Sequence, residues 1–148
     1  MANEHSGAEE RDAGPGWAMT AILVGIGGGL GAAARHFLTV DLPCATHPLP
    51  WPTFAINVFG CFLIGVLTVL LESRVARPLA RLFLITGFLG GFTTFSHYID
   101  GIRELFVGGD ALAAYIYTIL TLFGGLVAVW FGIAATRRLR PAPPARAG

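Results

Sequence analysis

Four long apolar stretches, separated by short polar segments, limit what this chain can fold into more than any other feature. They run from about Trp17 to Val40, Thr53 to Leu71, Leu79 to Phe106 and Ala111 to Thr136. Each is close to or above the roughly 20 apolar residues that a helix needs to cross a bilayer. Only 13% of the residues are charged, against about 25% in a soluble domain. Because backbone in lipid must satisfy its own hydrogen bonds, we predict an all-α membrane protein with four transmembrane helices in residues 17–140.

The two ends of the chain differ from this apolar region. Residues 1–16 are acidic and end in Gly-Pro-Gly, and residues 141–148 are rich in proline. We predict that both are disordered tails. The first lacks the basic start and short apolar core of a signal peptide. The formal net charge of +1 gives no basic surface for nucleic acid, so no such partner is expected.

The third apolar stretch contains a pattern that disfavours a continuous helix. Gly90 and Gly91 are adjacent, and the β-branched Thr93 and Thr94 follow them. Both residue types weaken a helix interior, so we predict that the third helix is broken at its centre. Carbonyls freed at bilayer depth must be buried in protein, face water or bind an ion. Hydroxyl groups and aromatic rings cluster at the same point, which favours an ion site, and a simple flexible kink is the alternative.

Asn57 is a polar residue well inside the second apolar stretch. An intramembrane asparagine either joins helices by hydrogen bonds or contacts a ligand, and the sequence leaves both interpretations open. An amide and the nearby hydroxyls can donate hydrogen bonds to a small anion. The edges of aromatic rings carry the positive part of the ring quadrupole and can also face an anion.

Small residues recur four positions apart in the first and fourth stretches. Such ridges predict close helix packing or a tight oligomer core. The residues concerned are Gly25 and Gly29, Gly27 and Gly31, and the series Gly124, Ala128 and Gly132.

Three motifs, in order along the chain, resemble the Fluc/CrcB family of fluoride channels. They are GGGLGAAARH in the first stretch, TFAINVFGCFLIG in the second and RLFLITGFLGGFTTFS in the third. The resemblance covers about residues 20–136. It implies a fluoride-specific ion channel, not an enzyme, that lowers cytoplasmic fluoride by passive efflux across the plasma membrane and so gives fluoride resistance. It also implies an antiparallel dimer with two pores.

The resemblance implies roles for individual residues as well. A structural sodium ion at the dimer centre would be bound by the backbone carbonyls of Gly90 and Thr93, and Arg35 would be structural. Tyr98 and His97 replace a phenylalanine and a threonine of the family, and we interpret His97 as a packing residue, with a pH gate as the alternative. By the resemblance, Asn57, Phe95 and Tyr98 belong to the fluoride pore, and we add Thr94 and Ser96 because their hydroxyls can donate hydrogen bonds to an anion.

The arginines predict how the chain lies in the membrane. With four spans, eight of the ten basic residues fall on the side of the two termini, so the positive-inside rule places both termini in the cytoplasm. A fixed orientation conflicts with an antiparallel homodimer. The expected partner is therefore either a second copy or a paralogous chain of opposite orientation.

Two other kinds of membrane protein are the alternatives to a fluoride channel. A four-helix proton-coupled drug exporter needs a titratable carboxylate in the membrane, and Asp41, in a predicted loop, is the only acid from Trp17 to Leu71. A non-conducting membrane subunit has no need for hydroxyls, aromatic rings and a glycine break at one depth. The sequence shows no set of residues typical of an enzyme active site.

Overall fold

The computed structural model describes residues 16–40, 49–72 and 78–139, which form four spans. The first, second and fourth are single helices, and the third span, Pro78–Val107, is made of several pieces. The helices are α1 (Trp17–Val40), α2 (Trp51–Leu70), α3 (Pro78–Arg81), α4 (Gly90–Phe92), α5 (Ser96–Val107) and α6 (Ala111–Leu139), and a π-helical segment, Leu82–Leu89, joins α3 to α4.

The four spans confirm the predicted fold class. Each is long and apolar enough to cross a membrane, and no strand occurs in the described parts of the chain. The observed bounds differ from the predicted ones by a few residues at most, the largest change being the extension of α6 to Leu139. The predicted tails, apart from Gly16, and five of the arginines used to predict orientation lie outside the described residues.

Backbone-to-backbone packing joins α1 to the first half of the third span. A Cβ atom added at Gly31 would collide with the carbonyl oxygen of Phe88, and one at Gly27 would lie 3.0 Å from the Gly87 Cα. Only glycine permits this approach. By contrast, a Cβ at Gly29 meets nothing within 4 Å. The predicted ridge of Gly27 and Gly31 is therefore used for packing inside the chain, whereas the ridge of Gly25 and Gly29 lies open.

A second close pair of helices is formed by α2 and α6. A Cβ at Gly65 would collide with the carbonyl of Val129, and one at Gly132 would collide with the carbonyl of Phe62. Gly132 belongs to the ridge predicted in the fourth stretch, which therefore serves helix packing within the chain.

Two small cores lie on either side of the centre of the third span. In the half of the span before its centre, Leu89 and Phe92 pack with Ile56 of α2. In the half after its centre, Tyr98 packs with Tyr117 of α6. Many large apolar side chains elsewhere are exposed on the surface of the single chain. This is the surface expected of a chain solvated by lipid or covered by a second subunit.

Candidate functional site: a helix break closed by Asn57

The third span is interrupted between α4 and α5, as the glycines and threonines predicted. Thr93 has an extended backbone, with φ −74° and ψ 157°, and helix resumes at Ser96. The π-helical segment before the break was not predicted. At its end the Gly90 N–H reaches back five residues to the carbonyl of Ile85. We call residues 93–95 the break.

Asn57 pairs with both backbone polar groups of Thr94, the central residue of the break. Its Nδ2 donates to the Thr94 carbonyl oxygen at 3.0 Å, and its Oδ1 accepts the Thr94 N–H at 2.8 Å. The structure thus shows the interhelical bond that the sequence left as one of two interpretations. An amide carries two N–H donors, and the bond to Thr94 uses one. Contact between the other and a ligand stays a prediction.

Thr94 and Ser96, two hydroxyl residues predicted for the pore, meet at the start of α5. The Thr94 hydroxyl accepts the backbone N–H of His97 at 3.3 Å, and it lies 3.2 Å from the Ser96 hydroxyl. Thr94 therefore caps the N-terminus of α5, which explains how a helix can begin at this depth. Thr94 is buried and Ser96 is exposed on the single chain.

The same hydrogen bonds free the two carbonyls that were predicted to bind sodium. In a continuous helix the Thr94 N–H would bond to the Gly90 carbonyl, and the His97 N–H to the Thr93 carbonyl. Here side chains accept both N–H groups instead. Both carbonyls lose their helical donors, and the space beside Gly90 is open, with nothing within 4 Å of an added Cβ.

The side chain of Thr93 fixes the last turn before the break. Its hydroxyl and its backbone N–H both donate to the Leu89 carbonyl oxygen, each at 2.9 Å. Its methyl group packs directly on Gly60 of α2, where any Cβ would collide with it. Sequence reasoning did not give Gly60 a role. The only signal was its place in the α2 motif, one turn after Asn57.

The two aromatic residues predicted for the pore differ in their surroundings. The Phe95 side chain is 75% exposed on the single chain, whereas Tyr98 is 6% exposed. Their ring centroids lie 5.9 Å apart, and Tyr98 lies 5.7 Å from Tyr117 of α6. The Tyr98 hydroxyl donates to the Thr118 carbonyl oxygen at 3.5 Å, a long and therefore weak hydrogen bond.

Two further hydroxyl groups near these rings were not predicted from the sequence as part of the site. Tyr117 and Thr121 lie one turn apart on α6, and their buried side-chain oxygens interact with each other but have no partner at good hydrogen-bond geometry in the described part of the chain. Buried polar atoms are normally paired, so these two are candidates for contact with water or an ion. Their spacing of four residues in an apolar stretch was the available signal.

A cavity of about 670 Å³ lies between the start of α2 and α5. Thr53, one turn before Asn57 on α2, and His97 lie along it, and Asp100 and Glu104 are among its acidic lining residues. Asp100 forms an ion pair of 3.0 Å with Arg103.

Arg35 lies on α1, where its backbone carbonyl accepts the hydroxyl of Thr39 at 3.0 Å, and its structural role stays a prediction. Across the described residues no group of three or more His, Cys, Asp or Glu side chains could hold a metal ion. Binding of a cation by the backbone carbonyls of Gly90 and Thr93 stays a prediction.

Comparison with known proteins gives a consistent family. The family described as CrcB-like protein, Camphor Resistance (CrcB), matches residues 22–133. A protein of Chlorobium phaeobacteroides (strain DSM 266) named fluoride-specific ion channel FluC is 45% identical over 112 residues, covering 75% of this chain and 87% of that protein. One from Streptomyces coelicolor, named fluoride-specific ion channel FluC 1, is 42% identical and covers 84% of this chain and 83% of its own. One from Rhizobium leguminosarum bv. trifolii, named fluoride-specific ion channel FluC, is 43% identical, and the match covers 80% of this chain and 97% of that protein.

Proposed function

The chain belongs to the CrcB family, and we propose that it is a fluoride-specific ion channel that lowers cytoplasmic fluoride by passive efflux across the cell membrane. Family and structure together make it a multi-pass membrane protein and not an enzyme. The observation that carries the proposal is the pairing of Asn57 with Thr94 at a helix break in the third span.

The groups around the break suit a small, strongly hydrated anion. Fluoride can leave water only if other donors replace its hydration shell. The second N–H of Asn57 and the exposed hydroxyl of Ser96 can supply such donors, and the Phe95 ring can present its positive edge. The α2 helix carries no Asp, Glu, Lys or Arg. The absence of a fixed cation on this helix suits a pore that must release the ion as well as bind it.

The proposal includes a structural sodium ion, and the donor set fits a hard cation. The carbonyls of Gly90 and Thr93 have lost their helical donors to Asn57 and Thr94. Oxygen ligands of this kind suit hard cations. The residues that would hold sodium are therefore Gly90 and Thr93. Once bound, the cation supplies positive charge that offsets the carbonyl dipoles in low-dielectric surroundings.

A second subunit is also part of the proposal. The space beside Gly90 is open, Phe95 is 75% exposed, and a Cβ at Gly29 meets nothing in the single chain. A partner that covers this surface would enclose the break. The expected arrangement is an antiparallel dimer in membrane lipid, with a second copy or with a paralogous chain of opposite orientation. The arginine distribution supports cytoplasmic termini for this chain.

Fluoride release from liposomes tests the function directly. The purified chain is reconstituted in vesicles loaded with potassium fluoride, and a fluoride electrode follows release after a potassium ionophore is added. We expect rapid release that needs no proton gradient, and no comparable release of chloride from matched vesicles. Release only in response to a proton gradient would support an exporter instead. No release from this chain, alone or with a family partner of opposite orientation, would reject the channel.

A further inference from the structure

We infer that Asn57 is a positioning residue for the cation site, and that it acts through the backbone of Thr94. This inference rests on the proposed sodium site. Asn57 approaches Thr94 from a different helix, 37 positions earlier in the chain. Its effect on the Gly90 carbonyl is therefore exerted across a helix–helix contact and without touching the cation.

Asn57 acts on the cation site through the backbone N–H of Thr94, which its Oδ1 accepts at 2.8 Å. If the Asn57 side chain were shorter, it could no longer accept the Thr94 N–H. In the usual helical pattern, that N–H would bond to the Gly90 carbonyl, four residues earlier. A buried N–H left without an acceptor costs about 1–3 kcal/mol, so the chain would tend to recover that bond. Recovering it would occupy a carbonyl that the cation needs and would pull the break toward a continuous helix.

The second bond makes the arrangement rigid. Asn57 also donates to the Thr94 carbonyl oxygen at 3.0 Å, so both polar groups of one backbone residue are held by one side chain. A single bond would leave Thr94 free to rotate about it. With two, the orientation of the peptide groups flanking Thr94 is fixed, and the start of α5 is fixed with them because the Thr94 hydroxyl caps that helix.

A consequence is that the anion and cation sites are energetically coupled. The second Nδ2 hydrogen of Asn57 is the proposed fluoride contact, while its other bonds hold the backbone that supports the sodium ligands. Removing the side chain should therefore weaken cation binding as well as fluoride flux. A pore ligand with no positioning role would reduce the flux alone.

The test measures sodium binding separately from fluoride flux. The midpoint of thermal unfolding of the purified full-length protein is compared in sodium chloride and in N-methylglucamine chloride at equal ionic strength. A ligand that binds only the folded state raises that midpoint. We expect a positive sodium shift in the wild type and loss of at least half of it in Asn57→Ala. The matched control is Cys61→Ala, one turn along the same helix, which should keep the full shift.

Each outcome decides a separate point. A full sodium shift in Asn57→Ala, or an equal loss in Cys61→Ala, would overturn the inference. Where Asn57→Ala yields no folded protein, Asn57→Gln decides, because the added methylene displaces the same amide: a reduced shift supports the inference and a full shift rejects it. A wild type without any sodium shift removes the sodium site and the inference with it. A wild type that shows the shift but releases no fluoride removes the channel proposal, while the variants still decide the role of Asn57.

Discussion

The contact between Gly60 and Thr93 offers a sharp test of how the break is held in place. A Cβ atom at Gly60 would overlap the Thr93 methyl group and would lie 3.4 Å from the Phe92 Cδ1 atom. Gly60→Ala therefore adds one carbon where there is no room for it. Thr93 cannot turn away freely, because its hydroxyl and its N–H are both bonded to the Leu89 carbonyl.

The size of the effect follows from two alternatives for relieving the overlap. Forcing an extra methyl into a packed core costs about 1–3 kcal/mol. Rotating the Thr93 side chain instead gives up its hydrogen bond to Leu89, at about 0.5–1.5 kcal/mol for a typical bond. We expect Gly60→Ala to destabilise the protein by about 1–2 kcal/mol, the lower part of the overpacking range, and to slow fluoride efflux because the displaced residue borders the break.

A compensating substitution separates this steric explanation from a general loss of stability. Thr93→Ser deletes the methyl that Gly60→Ala would strike, and it keeps the hydroxyl that bonds to Leu89. Alone it removes one methyl that packs on Gly60 and is only partly buried, a loss of at most about 0.8 kcal/mol. In the double variant the new methyl can occupy the vacated space. The double variant should therefore be more stable than Gly60→Ala alone, with a coupling energy of about 1 kcal/mol.

The measurements are the unfolding free energy in detergent and the initial rate of fluoride efflux from liposomes, for the wild type, both single variants and the double variant. Additive losses in the double variant would refute the steric explanation. So would a Gly60→Ala protein as stable and as active as the wild type, since the contact with Thr93 would then impose no constraint.

Three further predictions concern the exposed side of the break, the substituted aromatic residue and the orientation of the chain. Gly90→Val should lower dimer formation and efflux although nothing in the single chain contacts an added Cβ there; an unchanged dimer fraction by size-exclusion chromatography and unchanged efflux would remove Gly90 from the interface. Tyr98→Phe should leave efflux within about twofold of wild type, because its hydrogen bond to Thr118 is long at 3.5 Å; a tenfold loss would instead give the hydroxyl a role in the pore. A reporter fused to the C-terminus should be found on the cytoplasmic side only; equal signals on both sides, with full fluoride resistance from the single gene, would contradict a fixed orientation.

The four spans and the break were predictable because both depend on local properties of the chain. Apolar stretches of sufficient length report directly on crossing a membrane. The Gly90-Gly91 pair and the threonines after it lower helix stability wherever they occur. These signals place the interruption within a few residues, and the structure ends the helix at Phe92.

The detailed geometry of the break was not predictable, because it is set by other helices. Thr94 has its backbone groups bonded to Asn57 of α2, and Thr93 is confined by Gly60 of the same helix. Nothing in the local sequence of the third span specifies these partners. The buried hydroxyls of Tyr117 and Thr121 were missed for a similar reason, since burial is a property of the packed helices and not of their composition.

One interruption of a helix can serve an anion and a cation because its two ends have opposite polarity. The segment that ends at Phe92 presents carbonyl groups, and α5, which begins at Ser96, presents N–H groups. Partial negative charge at the first end favours a cation, and partial positive charge at the second favours an anion. Asn57 strengthens the division, because it accepts an N–H that would otherwise neutralise a carbonyl at the first end. On the proposed function, the same side chain that holds the two ends apart also provides a donor for fluoride beside the second end. A chain of this size therefore needs no charged side chain at the membrane centre to act on both ions.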